Sequence, residues 1–425
     1  MNPKRLIIAA TLLIGLSGAL WYSNKQESEK ANAPSPDAPP KILDLANDQF
    51  AKIEINRMGA EPVVLTKAAE WSIDVPKKLA ADPDAANAYV ATLASLVSDR
   101  LVNDATADFA PYGLKDPILT VTVTMKDGKS HKVQIGDDAP TGSATYARLA
   151  GDAKLYLVPT STKAALEKTW RDLRDKRLLP FDSEKLTRIE LGAIEFGKNN
   201  GGAWTILKPK ALRADNFAAE ELARKLKEAR LEVVNDTEEE EAIPAKFAAA
   251  APVGTVKVTD ARGAYQLEVR KGKDNAVYAK SSAVEGVFKT SADLGDVLAK
   301  KLDDFRNKKV FEFGFTEPAA VTVKQDGQVY AFTKSGADWK KDGKNVDAAQ
   351  VQQLIDRLRD LSATKFAETA AGAVVAEYTV AKEQVTVAKQ GETYLARRGN
   401  EPEVFVLDAA AVNELKSLAA AVKQK

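Results

Sequence analysis

The chain has 425 residues, 45% of them hydrophobic and 28% charged, with 61 basic against 60 acidic side chains and a net charge of +1. That length predicts two to four folded domains, and the charge balance excludes a general nucleic-acid binder, which needs a basic excess to neutralise phosphates. With no cysteine and a single histidine, disulfides, thiolate metal sites, cysteine nucleophiles and most imidazole chemistry are excluded as well.

Lys4 and Arg5 precede an uncharged apolar run from Leu6 to Tyr22. As a helix the run spans roughly 25 Å, near the short end of what crosses a bilayer. Positive charge ahead of it keeps the N-terminus in the cytoplasm and sends the rest outward. Residues 1–22 are therefore expected to form a transmembrane signal anchor, with Trp21 and Tyr22 at the outer interface. The alternative is a cleaved signal peptide, with Ser17 and Ala19 as the small residues before the cut. Residues 23–44 are polar and then proline-rich ("ANAPSPDAPP"), a composition that stays extended and reads as a tether.

From Leu45 onward the chain repeats itself. Strands "AKIEI" and "VVLTKAAEWSI", the second carrying Trp71, recur as "LTRIEL" and "GGAWTIL" with Trp204, then as "AAVTV" and "AFTKSGADWKK" with Trp339. The tryptophans are 133 and 135 residues apart and are expected to fill three cores. Each is followed by a candidate helix cap, Asp84, Asp215 and Asp347, whose carboxylate would accept from the first free backbone N–H groups. The helices behind these caps carry apolar faces at helical spacing: Tyr89, Leu93, Leu96 and Val97; Leu222, Leu226 and Ala229; Val351, Leu354, Ile355 and Leu358. Next comes a hairpin with period-2 alternation. In the first copy Leu119, Val121, Val123 and Met125 alternate with threonines, and Asp127-Gly128 makes the turn. Two further strands, starting near Tyr146, Tyr278 and Tyr394, lead into a closing helix.

The predicted architecture is α+β: three tandem repeats of a strand-strand-helix-four strands-helix unit, antiparallel sheets with helices on one face, after an N-terminal transmembrane helix. The units are placed at 45–180, 181–309 and 310–425. The joins "RDKRLLPF" and "RNKKVFEF" resemble each other and run directly from a closing helix into the next unit.

The words "YGLKDP", "IGDDAPTGSATYARLAGDAKLYLVP" and "LRDKRLLPF" resemble the bacterial domain of unknown function family 4340, over roughly Leu45 to Ile189 and more weakly in the later units. The resemblance implies an envelope setting, often beside a gliding-motility-type ABC transporter and its auxiliary subunit. It brings no catalytic residues with it.

Candidate sites are few. His131 shares a strand face with Val133 and Ile135 and reads as a half-buried ring; pairing it catalytically with Ser143 or Ser161 would need an orienting acid and a nucleophile elbow, and the sequence has no such pattern. "GAIEFGKN" has the spacing of a phosphate loop, but Asn199 stands where a hydroxyl is needed and its residues alternate as in a strand. The loop "GDDAPTGSAT" is the first candidate partner or ligand surface, through Asp137, Asp138, Thr141, Ser143 and Tyr146. Its oxygens would suit a hard cation or a sugar, although the spacing is not that of a calcium loop. Glu238 to Glu241 read as a solvated helix end, and Trp170 with Arg171, Arg174, Lys176 and Arg177 as a basic helix terminus favoured by the dipole. No catalytic, cofactor or metal residue is expected.

The expected function is that of a single-pass inner-membrane protein whose periplasmic region is a non-catalytic accessory or binding partner. Following the resemblance, its partner would be an ABC transporter permease or auxiliary subunit. The rival readings are a structural envelope scaffold and an envelope hydrolase working through carboxylates such as Asp137 or Asp138.

Overall fold

The structure is a computed structural model that describes residues 39–140 and 142–425. The expected anchor, most of the tether and Thr141 lie outside the described residues. The chain divides into two compact units, one ending at Asp175 and the other running from Lys176 to Lys425.

The first unit holds one sheet. Its strands are β1 (Phe50–Arg57), β2 (Val63–Lys67), β3 (Trp71–Val75), β4 (Leu79–Ala80), β5 (Arg100–Asn103), β6 (Leu119–Met125), β7 (Ser130–Asp138), β8 (Ala144–Leu149) and β9 (Leu155–Pro159). They lie in the order β4-β3-β2-β1-β6-β7-β8-β9-β5. Helices α1 (Pro83–Ala94), α2 (Thr160–Leu166) and α3 (Trp170–Leu173) accompany it. The period-2 pattern decides which face is covered. Leu119, Val121, Val123 and Met125 are buried while the threonines between them stay half-buried, and they share a core with Leu93 of α1, Leu166 of α2 and Trp170 of α3.

The second unit holds two sheets with the same plan. Strands β10 (Arg188–Leu191), β11 (Ile194–Lys198), β12 (Trp204–Lys208), β13 (Leu212–Arg213), β14 (Ala251–Asp260), β15 (Gly263–Lys271), β16 (Val277–Ser281) and β17 (Phe288–Thr290) go with helices α4 (Asn216–Glu228), α5 (Thr237–Ala249) and α6 (Ala292–Leu298). Strands β18 (Ala320–Gln325), β19 (Gln328–Ser335), β20 (Asp338–Lys341), β21 (Lys344–Asn345), β22 (Lys365–Ala367), β23 (Ala373–Val380), β24 (Glu383–Gln390), β25 (Thr393–Arg398) and β26 (Val404–Leu407) go with α7 (Ala348–Asp360) and α8 (Ala409–Ala421). Their orders are β13-β12-β11-β10-β14-β15-β16-β17 and β21-β20-β19-β18-β23-β24-β25-β26-β22.

The repetition therefore extends to backbone pairing. Isolated bridges recur at matched places: Lys41–Val97, Arg177–Arg230 and Lys309–Ser362 at the start of each module, and Ala81–Arg174, Ala214–Arg306 and Val346–Gln424 at its end. Each join thus closes one module with its first arginine and opens the next three residues later. Trp71, Trp204 and Trp339 are 6%, 3% and 2% exposed in three separate cores.

Several details differ from the sequence expectation. The first helix is capped by Asp82, whose side chain accepts from the N–H groups of Asp84 and Ala85. Pro83 explains the shift, because its fixed φ and missing N–H suit the first helical position. The predicted strand through Trp71 is a hairpin, β2 and β3, and a further strand follows the first helix in sheets one and three. The closing helix of the first module breaks at Thr169, which forms a capping box with Asp172. Helices are not confined to one face: Ile243 and Phe247 of α5 cluster with Tyr278, whose neighbours Val277 and Ala279 point into the opposite core.

Candidate functional site

The family-like words of the first module meet in space. Residues Ala110–Tyr112 form a short turn that Gly113 ends in the left-handed conformation, φ 66°, and the turn lies against the β7 bulge, where the register with β8 shifts between Ile135 and Asp138. Two glycines permit the approach. A Cβ at Gly113 would stand 2.4 Å from Asp137 Oδ1, and one at Gly136 would stand 2.1 Å from the Tyr112 carbonyl oxygen. Leu114 is fully buried here. The Tyr112 and Tyr146 rings pack with centroids 4.8 Å apart, and the Arg148 guanidinium lies 4.1 Å from the Phe109 ring centre while donating to Gln134 Oε1 at 2.7 Å.

The loop itself is short. The Ala139 and Gly142 N–H groups donate to the Ala144 and Ala139 carbonyls, so the hairpin is closed by its own backbone. Asp138 accepts from Thr145 Oγ1 at 2.8 Å and from Lys163 Nζ at 3.0 Å. The Lys163 bond, followed by the Thr145 bond, holds its carboxyl below the usual carboxylate range. Asp137 and Ser143 are exposed and Tyr146 is half-buried against Tyr112. The predicted residues are thus neighbours, and Asp138 and Tyr146 have packing roles that fasten the hairpin to the helix and to the turn.

The remaining sequence candidates resolve structurally. His131 stands opposite Val123 near the start of β7, half-buried. Residues 194–198 of the phosphate-loop look-alike are strand β11. Glu238, Glu239 and Glu240 of the acidic run lie in the first turn of α5, which Asp236 caps, a favourable end for negative charge. Trp170 is the centre of a cation stack, with Arg171 at 4.3 Å and Lys77 at 4.6 Å from its ring. A four-residue helix has little dipole to offer, so ring stacking is the better physical account of these cations.

A second cluster lies within the second compact unit, at the seam between its two sheets. Arg213, ending β13, donates through Nε to Glu401 at 3.0 Å and through Nη2 to the Lys309 carbonyl at 2.9 Å; Glu312 lies 3.2 Å from Nη1. Its backbone N–H donates to Glu403 at 3.0 Å. Arg398 joins Glu383 at 2.9 Å and approaches Glu312 and Glu401 at 3.5 Å. The Arg306 guanidinium covers the Phe366 ring at 3.5 Å. Glu403 is only 1% exposed, and burial pushes its carboxyl above the ordinary glutamate value despite Arg213 and Arg306 nearby. A cleft of about 310 Å³ opens here, lined by Trp204, Arg213, Asn216, Asn307, Glu312 and Glu403 among others. This seam was not anticipated. Its signal was the third copy of the loop before the last strand, "RRGNEPEV", which carries two acids, Glu401 and Glu403, where the first two copies carry one each, Asp152 and Glu285.

A family model described as "Domain of unknown function (DUF4340)" matches residues 71–206 and 204–383. Each matched segment runs from one core tryptophan to at least the next, a full repeat period counted from β3 or β12 rather than from the first strand of a sheet. No curated protein and no solved structure matches the chain.

Proposed function

The chain belongs to the DUF4340 family of domains of unknown function, and from that premise we propose that it is a membrane-anchored, extracytoplasmic, non-catalytic binding protein that serves an ABC transporter system. The observation that carries the reading is the threefold module itself. A core built three times with the same strand order supplies three platforms, and among the ionisable groups singled out above, Asp138 and the seam carboxylates are engaged in fastening them. Asp138 is held by Lys163 and Thr145, and the seam carboxylates by Arg213 and Arg398. Among the described residues no helix is long and apolar enough to cross a membrane, so helical attachment would fall to Leu6–Tyr22, with Lys4 and Arg5 setting its orientation.

Two measurements test the reading. Full-length protein should pellet with membranes, resist carbonate extraction and lose its folded region to protease only from the extracytoplasmic side. Affinity purification from mild detergent should bring down a transporter permease or its auxiliary subunit. A chain recovered as a free monomer in the soluble envelope fraction, without membrane partners, would refute it.

A further inference from the structure

Sheet one ends on β5, and all four of its residues, Arg100 to Asn103, are exposed, as is Asp104 beyond them. Leu101 and Val102 are 36% and 40% exposed. The inner side of β5 pairs with β9, Arg100 opposite Leu157 and Asn103 opposite Leu155, with Val102 as the extra residue of a bulge. Among the described residues no backbone group pairs with the outer side. Short length, charge and a bulge blunt such an edge, but with no helix, loop or strand over it among the described residues β5 keeps unpaired backbone groups that can template another strand.

The matched edges of the other two sheets are protected. In sheet three the terminal strand β22 has three residues, and its Phe366 lies under the Arg306 guanidinium. Sheet two has a single bridge there, Leu231 to Thr290, after which the chain turns away into α5. Only β5, among the three, presents two exposed aliphatic side chains between charges of opposite sign.

We propose that β5 is a self-association edge, pairing antiparallel with β5 of a second copy of this chain about a two-fold axis through Val102. The sequence Arg100-Leu101-Val102-Asn103-Asp104 is self-complementary in that register. Arg100 faces Asp104 of the partner subunit, the reverse pair forms on the other side of the axis, and Val102 meets its own counterpart. Centring the axis on Leu101 or on Asn103 instead sets Arg100 against Val102 or Thr106, and an axis between Leu101 and Val102 sets Asp99 against Asp104. Of the registers centred within β5, only the one through Val102 matches both charges, and opposed unlike charges are what favour one register over its neighbours. The contact is isologous and closes at two copies. It stands independently of the proposed transporter role.

The absence of cysteine makes the test direct. Residues directly opposed across antiparallel strands have Cα atoms about 4.5–5.5 Å apart, within disulfide range. Full-length Val102→Cys, oxidised mildly in intact cells, should convert to a covalent homodimer, whereas Val329→Cys, at a 57% exposed position in β19, should not. Adding Arg100→Glu should cut the yield at least about fivefold by opposing like charges twice, and adding Asp104→Arg as well should restore it. Equal cross-linking at both cysteines, none at position 102, capture of a different protein there, or charge reversal without loss and rescue would each overturn the proposal.

Discussion

Gly136→Ala probes whether the family-like words of the first module form one packed unit. No left-handed backbone demands a glycine there; space does. The added Cβ would lie 2.1 Å from the Tyr112 carbonyl oxygen and 3.0 Å from both Gly113 C and Leu114 Cγ, where ordinary contact begins at 3.4 Å. The obstructing oxygen is backbone, so the 112–114 turn must retreat by on the order of 1 Å from a close-packed surface. Overpacking costs about 1–3 kcal/mol. The retreat also uncovers part of Leu114, worth about 1.5–3 kcal/mol when fully buried, and parts two aromatic rings worth about 0.5–1.5 kcal/mol together. The expected total is about 3–4 kcal/mol. Three modules make a single melting transition a poor readout, so hydrogen exchange of the full-length protein is the better assay, followed in peptides covering residues 109–114 and 130–149. Every 1.4 kcal/mol is tenfold, so exchange there should quicken by about a hundredfold or more. Gly128→Ala is the control: its Cβ meets nothing within 4 Å, but its φ is +85°, so about 1–2 kcal/mol of backbone strain is expected, confined to that turn. Exchange in the Gly136→Ala protein within threefold of wild type would refute the reasoning.

Asp82→Ala should destabilise α1 by about 1 kcal/mol through loss of its cap, read as faster exchange in residues 83–94, while Asp84→Ala should lose only a first-turn charge of about 0.3–1 kcal/mol; equal effects would count against the cap assignment. The lowered carboxyl of Asp138 gives stability that is present above the ordinary aspartate range and lost as pH falls through its depressed value. Asp138→Asn should therefore flatten the acid-side decline of hairpin protection, by no more than about 1 kcal/mol because the side chain is 55% exposed. Glu403 has the opposite sign. Its raised carboxyl contributes stability that is full below the ordinary glutamate value and lost as pH climbs through the raised one, so the seam should loosen toward neutral pH. Glu403→Gln, which keeps an acceptor for the Arg213 N–H, should abolish that slope in β13 and in the β25–β26 loop; parallel slopes in both proteins would sink the assignment.

The parts of the fold legible in the sequence were those set by near neighbours. Alternation in Leu119–Met125 and the helical spacing of Val351, Leu354, Ile355 and Leu358 report burial directly, and all the apolar residues among them are buried. What escaped reading was local chemistry in competition, or contact at a distance. Pro83 and Asp82 outbid Asp84 for the cap, and Thr169 with Asp172 broke a helix whose apolar pattern continued past them. Both signals were present in the chain and carry a known preference. The seam is different in kind. Arg213 meets Glu401 across 188 positions, and no periodicity within a module reports a pairing between modules. The loop residues Asp137, Asp138 and Tyr146 were legible as a group, but their partners Gly113, Lys163 and Tyr112 came from three other segments.

The three modules share a strand order, a capped helix and a core tryptophan, so these features cannot distinguish what one module does from what another does. On the proposed binding role, specific recognition would reside where the copies depart from one another. Those departures are concentrated at the sheet edges and in the strand connections: a bulge pinned by two glycines and an open β5 in the first module, an inserted helix over the far face in the second, and an acidic loop that accepts Arg213 in the third. Substitutions at a position common to the three cores act through stability. On that reading, changes at Arg100, Tyr146 or Glu401, each confined to one module, are the substitutions able to separate one contact from the next.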